Sequence, residues 1–282
     1  MSAHAPIRLI LTDIDATILP PGEKRVSART VAAFHAAIDA GIAVGPCSGR
    51  SIAQIPAFFG GDTACCATAI ATNGLQVYAG GEKVLEKTLA ANVLERLRDT
   101  VDEVPGAGLI CFNGSTPLLM AGAKGDLTVA RDALAKTFPA YAEICVPTRE
   151  IPSFPVVKAN VFRAGTPADA DELRTHVEAA VPELSLDRAY PCYFNVMTHG
   201  WNKGEAVRWL CGHMGIGLDE VAVFGDGLND LSMLRVAGHP VAVANAVPEV
   251  ARAARWHIGA CGDDAVAVAI EALARGEWPF EK

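Results

Sequence analysis

The sequence lacks a hydrophobic run long enough to cross a membrane. Of its 282 residues, 51% are hydrophobic and 20% are charged, and glycine, proline or a charged residue interrupts each apolar block at short intervals. A membrane-spanning helix needs about 20 predominantly apolar residues. The composition therefore excludes an integral membrane protein and a mostly disordered chain, and no membrane partner is expected.

The sequence also lacks an excess of basic residues. It has 24 lysines and arginines against 32 aspartates and glutamates, which gives a net charge of -8. Because such a chain repels a phosphate backbone at long range, nucleic acid is not an expected partner. A small anionic substrate remains compatible with this charge if a few cations or a metal ion reverse the sign within a pocket.

The cysteines lack the spacings of a metal-binding motif. Eight cysteines are present, but none forms a Cys-x-x-Cys pair and no histidines accompany them at a zinc-finger spacing. This pattern argues against zinc and for reduced, mostly buried thiols.

A signal-peptide pattern is missing as well. The apolar block that follows Arg8 is too short for one, and no small-residue cleavage pattern follows it. We therefore expect a cytoplasmic protein. The length favours about two domains of roughly 150 residues each. Both a monomer and a homodimer remain open.

What the sequence does contain is a series of short apolar runs that each end in polar residues. These runs predict buried strands at residues 7–12, 42–47, 67–72, 221–224 and 241–244. Each of the first three strands is expected to lead into a helix, and the first helix would begin after Ser27 and end before Gly41. A further helix is predicted from Lys203 to Gly215. The pattern indicates an α/β fold whose parallel strands bring their polar tips to one edge of the sheet.

The middle of the chain has a different character. Nine of the 17 prolines lie between positions 105 and 191, among short strand candidates at 108–112, 157–162 and 192–196. One helix is predicted to begin at Asn92, where Glu95 would complete a capping box, and another at Thr166 with Pro167 as its first residue. We interpret residues 82–197 as an inserted α+β domain, and residues 1–81 with 198–282 as a discontinuous α/β domain.

Two acidic tips are the strongest candidates for a functional site. Asp13 and Asp15 directly follow a strand, so their side chains leave on the same face. Asp226 and Asp230 follow a later strand, with Asn229 between them. Either tip alone is compatible with a turn or a helix cap. Together they supply enough carboxylates for a magnesium (Mg²⁺) site that keeps a substrate oxygen as a ligand.

Two further groups are weaker candidates by themselves. Ser48, Gly49 and Arg50 offer a hydroxyl, exposed amides and a cation at a predicted strand-to-helix turn, which is a common way to hold phosphate oxygens. Lys203 stands at a predicted helix start, where a cation opposes the helix dipole and so does not stabilise the helix. A lysine beside an acidic metal site can neutralise charge on a phosphoryl group.

The order and spacing of these motifs resemble the haloacid dehalogenase-like (HAD) hydrolase superfamily. The resemblance covers the whole chain, and the matching motifs are Asp13-Ile14-Asp15-Ala16-Thr17, Ser48-Gly49-Arg50, Lys203 and Gly225-Asp226-Gly227-Leu228-Asn229-Asp230. Its Cof-type phosphatase branch is similar at further positions, namely Thr72-Asn73-Gly74, Asn202-Lys203-Gly204-Glu205-Ala206, Ala244-Asn245-Ala246 and Pro248-Glu249-Val250.

The resemblance implies a Rossmann-like, doubly wound parallel sheet with a large type-2 (C2) cap inserted between the second and third motifs. It implies that Asp13 is the nucleophile that forms an aspartyl-phosphate and that Asp15 is the acid and base. Magnesium would be held by Asp13, the Asp15 backbone carbonyl and Asp226, with support from Asp230. The phosphoryl oxygens would be held by Ser48, Gly49, Arg50, Lys203 and Asn229.

We therefore expect a magnesium-dependent phosphomonoesterase that acts on a small phosphorylated metabolite, such as a sugar phosphate, a nucleotide or pyridoxal phosphate. Ala16 stands where the family usually has glycine, and since the ligating atoms remain we expect activity to survive. One alternative is a sugar phosphatase of the sucrose-phosphate or mannosyl-phosphoglycerate type. Another is a non-catalytic ligand-binding protein with the same fold, which would have no physical reason to keep clustered like charges.

Overall fold

The structure is a computed structural model that describes residues 6–280. The strands are β1 Leu9–Thr12, β2 Ala43–Pro46, β3 Ala69–Ala71, β4 Gln76–Ala79, β5 Glu82–Glu86, β6 Ala107–Asn113, β7 Thr116–Met120, β8 Val146–Thr148, β9 Ala159–Arg163, β10 Leu184–Tyr190, β11 Tyr193–Thr198, β12 Val221–Gly225, β13 His239–Val243 and β14 Trp256–Ile258. The α-helices are α1 Ala28–Asp39, α2 Ile55–Phe58, α3 Ala91–Asp102, α4 Leu127–Thr137, α5 Pro139–Ile144, α6 Pro167–Ala180, α7 Lys203–Met214, α8 Leu231–Val236, α9 Pro248–Ala253 and α10 Ala265–Ala274.

The described residues form two compact units. One lies within Met1–Glu86 and Trp201–Lys282, and the other is Lys87–Gly200. The first unit contains a five-stranded sheet in the order β14-β13-β12-β1-β2, and every neighbouring pair in it is parallel. In a parallel sheet the carboxyl ends of all strands lie at the same edge, so the loops that follow β1, β2, β12 and β13 converge there.

Alternating side chains of the central strand pack on the two faces of this sheet. Ile10 belongs to a buried cluster with Phe34 of α1 and Ile270 of α10. Leu9 and Leu11 belong to a second cluster, in which the helix residues Val207, Leu210, Met233 and Val250 come from α7, α8 and α9. Since both faces are covered by helices, the unit is a doubly wound α/β layer structure, as the sequence predicts.

The helices predicted after β1 and after β3 have different outcomes in the structure. Helix α1 is confirmed, because the Ser27 hydroxyl caps it and Gly41 ends it with φ of 78°. The expectation of a helix after β3 is wrong. β3 instead leads through the turn Thr72–Gly74 into an antiparallel hairpin of β4 and β5. Residues 82–86, which composition placed in the insert, therefore pair within the first unit.

The second unit is built on a six-stranded mixed sheet in the order β10-β11-β9-β6-β7-β8. Its pairs are antiparallel except that of β7 with β8. Helices α3 and α6 pack on one face through Leu97 and Leu173, and α4 packs on the other through Leu134. This arrangement is an α+β fold in which both faces of the sheet carry helices.

The two helix starts predicted in this unit also differ in outcome. The predicted start of α6 at Thr166 is confirmed. There the Thr166 hydroxyl accepts from the Asp169 amide and the Asp169 carboxylate accepts from the Thr166 amide, which together form a capping box. The capping box at Asn92 is wrong. Helix α3 already begins at Ala91, and its N-cap Ala90 has no side chain that accepts a hydrogen bond.

The cysteines and the aromatic residues near the end of the chain are mostly buried. All eight cysteines are free and all except Cys192 are buried, which confirms their expected burial. Phe280 is buried and Trp278 packs beside it on the same cluster as Trp256.

Within residues 6–280, none of the helices combines the length and apolarity that a membrane crossing requires.

A close approach of β2 to the segment before β3 makes a glycine necessary. A Cβ atom at Gly45 would lie 1.6 Å from the carbonyl oxygen of Thr68. We expect Gly45→Ala to lower the free energy of unfolding by at least about 2 kcal/mol, because backbone must move to admit the methyl group. Gly212→Ala is the matched control: Gly212 is an exposed residue of α7 with nothing within 4 Å of its added Cβ. Gly212→Ala should raise the free energy of unfolding by about 0.5 to 1 kcal/mol. Denaturant unfolding of both variants checks this, and equal effects would contradict it.

Candidate active site

The two acidic tips predicted from the sequence meet at the carboxyl edge of the parallel sheet. Asp13 directly follows β1, and its amide donates to the carbonyl of Phe224 in β12 at 2.9 Å. Asp226 directly follows β12. As a result, the carboxylates of Asp13, Asp226 and Asp230 each place an oxygen within 4.8 Å of the others.

A buried lysine joins these carboxylates. Lys203 is the first residue of α7 and only 1% exposed, and its Nζ donates to Oδ1 of Asp13 and to Oδ1 of Asp230, each at 2.7 Å. The unfavourable position of a cation at a helix start is thereby offset by two charge-assisted hydrogen bonds. This contact explains why a lysine begins the helix.

Burial and charge act together on the ionisation of this group. Burial by itself would lower the pKa of Lys203, but the charges of Asp13 and Asp230 outweigh it and raise this pKa, so the lysine is an ammonium ion. Burial raises the pKa of Asp13, and the Lys203 charge opposes that shift. Burial likewise raises the pKa of Asp226 to about 6, against a hydrogen bond from Thr17 that lowers it.

Asp230 is fixed by the turn that carries it. Its Oδ2 accepts hydrogen bonds from the amides of Asp226 and Gly227, both at 3.0 Å, while Oδ1 faces Lys203. The turn is tight, because a Cβ at Gly225 would lie 2.7 Å from the Asp230 Cβ. Asp230 therefore orients the lysine and the loop that bears Asp226.

The donor set fits a hard divalent cation. Asp226 accepts through Oδ1 from the hydroxyl of Thr17 at 2.7 Å, and Asp13 accepts through Oδ1 from Lys203, so neither bond uses the Oδ2 atoms. Three carboxylates around a single ammonium leave an excess of negative charge at this edge. Carboxylate oxygens are preferred ligands of Mg²⁺, and a cation there would favour their ionised forms.

Asp15 lies outside the buried group. Its two carboxylate oxygens accept from the Arg50 guanidinium, at 2.9 Å from Nε and 2.8 Å from Nη2, and both side chains are more than 40% exposed. The Arg50 guanidinium also lies over the Phe58 ring, 5.5 Å from its centroid. Arg50, which the sequence predicts to bind phosphate, therefore contacts Asp15, which the sequence predicts to act as both acid and base.

The loop after β2 differs from its predicted setting. Helix α2 begins only at Ile55, so Ser48 and Gly49 do not stand at a helix N-terminus. Ser48 is buried, and its hydroxyl accepts from the Arg50 amide at 3.3 Å. The amides of Ser48 and Gly49 therefore lie apart from the N-terminus of α2.

A strained segment supports that loop. Thr72, Asn73 and Gly74 have φ of 52°, 54° and 102°. Residues other than glycine rarely adopt a positive φ, so Thr72 and Asn73 are strained. The amide of Thr72 donates to the Arg50 carbonyl at 2.9 Å, and that of Asn73 donates to the Ser48 carbonyl at 3.0 Å. The strained segment is therefore pinned to the Ser48–Arg50 loop.

Asn73 also reaches a second candidate residue. Its Oδ1 accepts from Nδ2 of Asn229 at 3.4 Å, and its side chain is within 3.1 Å of where a Cβ of Gly49 would stand. The structure thus places Asn229 and Gly49 beside the same amide. Asn73 is 4% exposed, and it connects the loop after β2 with the turn after β12.

Sequence reasoning did not assign a site role to Thr17, Asn73 or Asn245. Asn245 follows β13, and it donates through Nδ2 to the Ala16 carbonyl at 2.7 Å while Oδ1 accepts from the Cys261 amide at 2.8 Å. All three are polar residues that follow the end of a strand: Thr17 and Asn245 come after β1 and β13 of the parallel sheet, and Asn73 comes after β3 of the three-stranded sheet. That position is the signal by which they could have been found.

The chain belongs to the family described as haloacid dehalogenase-like hydrolase, whose sequence model matches residues 10–270. This match confirms the resemblance carried by the motifs, and it confirms the expected hydrolase class.

Relatives and solved structures agree with this membership. YxeH of Bacillus subtilis (strain 168), named as a phosphatase, is 27% identical over 271 residues, which cover 94% of this chain and 98% of YxeH. YbjI of Escherichia coli (strain K12), named 5-amino-6-(5-phospho-D-ribitylamino)uracil phosphatase, is 29% identical and covers 98% of this chain and 99% of its own. The structure of BT1666 from Bacteroides thetaiotaomicron has a TM-score of 0.80 at 20% identity, covers 95% of both chains, and shows a shared fold.

Removal of the buried ammonium should be costly. We expect Lys203→Met to lower the free energy of unfolding by about 3 to 5 kcal/mol, because the buried carboxylates of Asp13 and Asp230 would lose the positive charge that balances them. Arg208→Gln is the control, since Arg208 lies on the same helix in an exposed pair with Glu205. It should change the stability by less than about 0.5 kcal/mol. Denaturant unfolding checks both, and a mild effect of Lys203→Met would contradict the account of this pair.

Ala16 adopts a conformation that suits glycine. Its φ is 61°, which costs an L-residue about 1 to 2 kcal/mol. After the greater chain entropy of glycine is counted, we expect Ala16→Gly to stabilise the protein by about 0.5 to 1 kcal/mol. Ala32→Gly, on the exposed side of α1, should destabilise it by about 1 kcal/mol. Thermal unfolding midpoints check the opposite signs, and a lower midpoint for Ala16→Gly would contradict the strain.

Proposed function

We propose that the protein is a magnesium-dependent phosphomonoesterase that hydrolyses a small phosphorylated metabolite through an aspartyl-phosphate on Asp13. The observation that carries the proposal is the contact between the buried Lys203 ammonium and the Asp13 carboxylate at 2.7 Å. This contact fixes the carboxylate beside a positive charge at the open edge of a parallel sheet, where ligands bind in such folds.

In the first half of the reaction Asp13 acts as nucleophile. A carboxylate oxygen of Asp13 attacks phosphorus and forms an acyl-phosphate bond, while the bond from phosphorus to the ester oxygen breaks. Asp15 in its protonated form donates a proton to the leaving oxygen. Since Arg50 holds both oxygens of Asp15 in the structure, at least one of these two hydrogen bonds must open for the proton to be transferred.

In the second half Asp15 acts as base. It takes a proton from a water molecule whose oxygen attacks phosphorus, and the bond between phosphorus and the Asp13 oxygen breaks. Inorganic phosphate and the free Asp13 carboxylate result, and Asp15 is again protonated.

The remaining residues hold the transferred group. We assign the phosphoryl oxygens to Lys203, the Ser48 hydroxyl, the Gly49 amide and Asn229. Asp13, the backbone carbonyl of Asp15 and Asp226 would hold Mg²⁺, and Asp230 supports them through its bonds to Lys203 and the Asp226 amide. When bound, the cation neutralises charge on the phosphoryl group. Preorganised charge of this kind is usually the largest part of such catalysis.

The substrate class is a phosphorylated small molecule. The net charge of -8 restricts favourable contacts with an anion to the site itself. We take sugar phosphates, nucleotides and pyridoxal phosphate as the test panel, and add a phosphorylated ribitylaminouracil because YbjI is named for it. Turnover confined to sucrose-phosphate-type esters would favour the sugar phosphatase alternative.

The nucleophile and metal assignments are tested by hydrolysis of p-nitrophenyl phosphate. We expect Asp13→Asn to lower kcat/KM by at least about a thousandfold, because an amide oxygen is a poor nucleophile. Asp39→Asn, at the exposed end of α1, is the matched control and should leave the rate unchanged. Removal of divalent cations with a chelator should abolish turnover, and added Mg²⁺ should restore it. Full activity of Asp13→Asn would overturn the mechanism and favour a ligand-binding role for the site.

A further inference from the structure

A second cluster of metal-ligating side chains lies away from the acidic site. Among residues 6–280, His35, Asp62 and Cys65 each place one ligand atom within 4.8 Å of the others. His35 is on α1, Asp62 lies between α2 and the next turn, and Cys65 is in the short turn Ala64–Cys66. None of the three belongs to the phosphoryl-transfer machinery assigned above.

The three donors differ in chemistry from those of the magnesium site. They are an imidazole nitrogen, a carboxylate oxygen and a thiol sulfur, whereas Mg²⁺ and Ca²⁺ prefer oxygen ligands alone. Sulfur and nitrogen donors select zinc and its neighbours in the transition series. The cysteine spacing argues against zinc in the sequence, but here the fold brings His35 from α1 to Asp62 and Cys65, a set of donors that a cysteine pattern does not reveal.

The cluster is held in place before any ion binds. Nε2 of His35 lies 2.7 Å from Oδ2 of Asp62, and the Ala64 amide donates to the other oxygen, Oδ1, at 3.0 Å. The hydrogen bond from the Ala64 amide orients the Asp62 carboxylate, as hydrogen bonds to metal ligands do in known metal sites. Cys65 is fully buried at the floor of the cluster, and His35 and Asp62 are partly exposed above it.

The pairing of histidine with aspartate accounts for two of the three residues. A surface hydrogen bond of this kind needs no thiol beneath it, and the thiol is the group that turns the pair into a three-donor set. Burial raises the pKa of Cys65 to about 12, so without a metal ion this sulfur is a neutral thiol.

We propose that His35, Asp62 and Cys65 form a zinc-binding site that ties α1 to the turn Ala64–Cys66. On binding, the Cys65 thiol loses its proton to solvent, the hydrogen bond between His35 and Asp62 opens, and the three donors take three of the four tetrahedral positions of the ion. The fourth position is left for water. Because the site exists only in the folded chain, zinc binding stabilises the fold.

Cobalt substitution tests the site directly. The full-length protein is stripped of metal, reduced, and supplied with excess Mg²⁺ to occupy the acidic site, and Co²⁺ is then titrated in. We expect one equivalent to produce a thiolate-to-cobalt charge-transfer band in the near ultraviolet together with strong visible bands of tetrahedral cobalt. Added Zn²⁺ should displace the cobalt and remove both.

Variants assign the band to the proposed residues. We expect His35→Gln and Asp62→Asn to weaken cobalt binding by at least about a hundredfold, since loss of an outer-shell partner alone costs ten- to hundredfold. Asp62→Asn retains an oxygen for the Ala64 amide and so keeps the turn. Cys66→Ser and His213→Gln are controls that should keep the band, since neither residue belongs to the three-donor cluster.

A stability measurement covers the case in which a variant loses its fold. In excess Mg²⁺, Zn²⁺ should raise the unfolding midpoint of the natural sequence and leave that of Asp62→Asn unchanged. Absence of a charge-transfer band at one equivalent, or a band and a midpoint shift that survive in His35→Gln and Asp62→Asn, would overturn the proposal. The cluster would then be a hydrogen-bonded pair of His35 and Asp62 above a core cysteine.

Discussion

The buried contact of one ammonium with two carboxylates is the interaction on which the site depends. Lys203 joins the start of α7 to the loop after β1 through Asp13 and to the turn after β12 through Asp230. Each partner would be costly to bury alone, so the three charges persist only as a group. The contact therefore sets the positions of three chain segments at once, and the proposed nucleophile is one of its members.

The other parts of the site follow from the parallel sheet and from local strain. Parallel strands deliver the acidic tips to the same edge, and the left-handed residues Thr72 and Asn73 anchor the loop of Ser48. Ala16 is a further left-handed residue, beside Asp15. Strain of this kind concentrates at functional sites because the surrounding structure must over-determine it.

The sequence predicts the carboxyl-edge residues well, because a run of apolar residues that ends in Asp13 or Asp226 identifies both the strand and its tip. Lys203 was likewise predictable, since a cation at a helix start has no local benefit. The hairpin after β3 was not, because its short strands are stabilised by pairing with each other and with β3. The bond between Arg50 and Asp15 and the cluster around His35 join residues distant in sequence, and no local pattern encodes them.

The measurement that tests the central claim most directly is chemical trapping of the acyl-phosphate on Asp13. An Asp15→Asn variant lacks both the acid of the first half and the base of the second, so it is mixed with Mg²⁺ and p-nitrophenyl phosphate, whose p-nitrophenolate leaves without protonation. The mixture is quenched in acid and reduced with borohydride. The account predicts that mass spectrometry of the peptide with residue 13 finds homoserine in place of aspartate, and only when substrate was present. Unaltered Asp13, in a sample that has released the alcohol product stoichiometrically, would contradict the account.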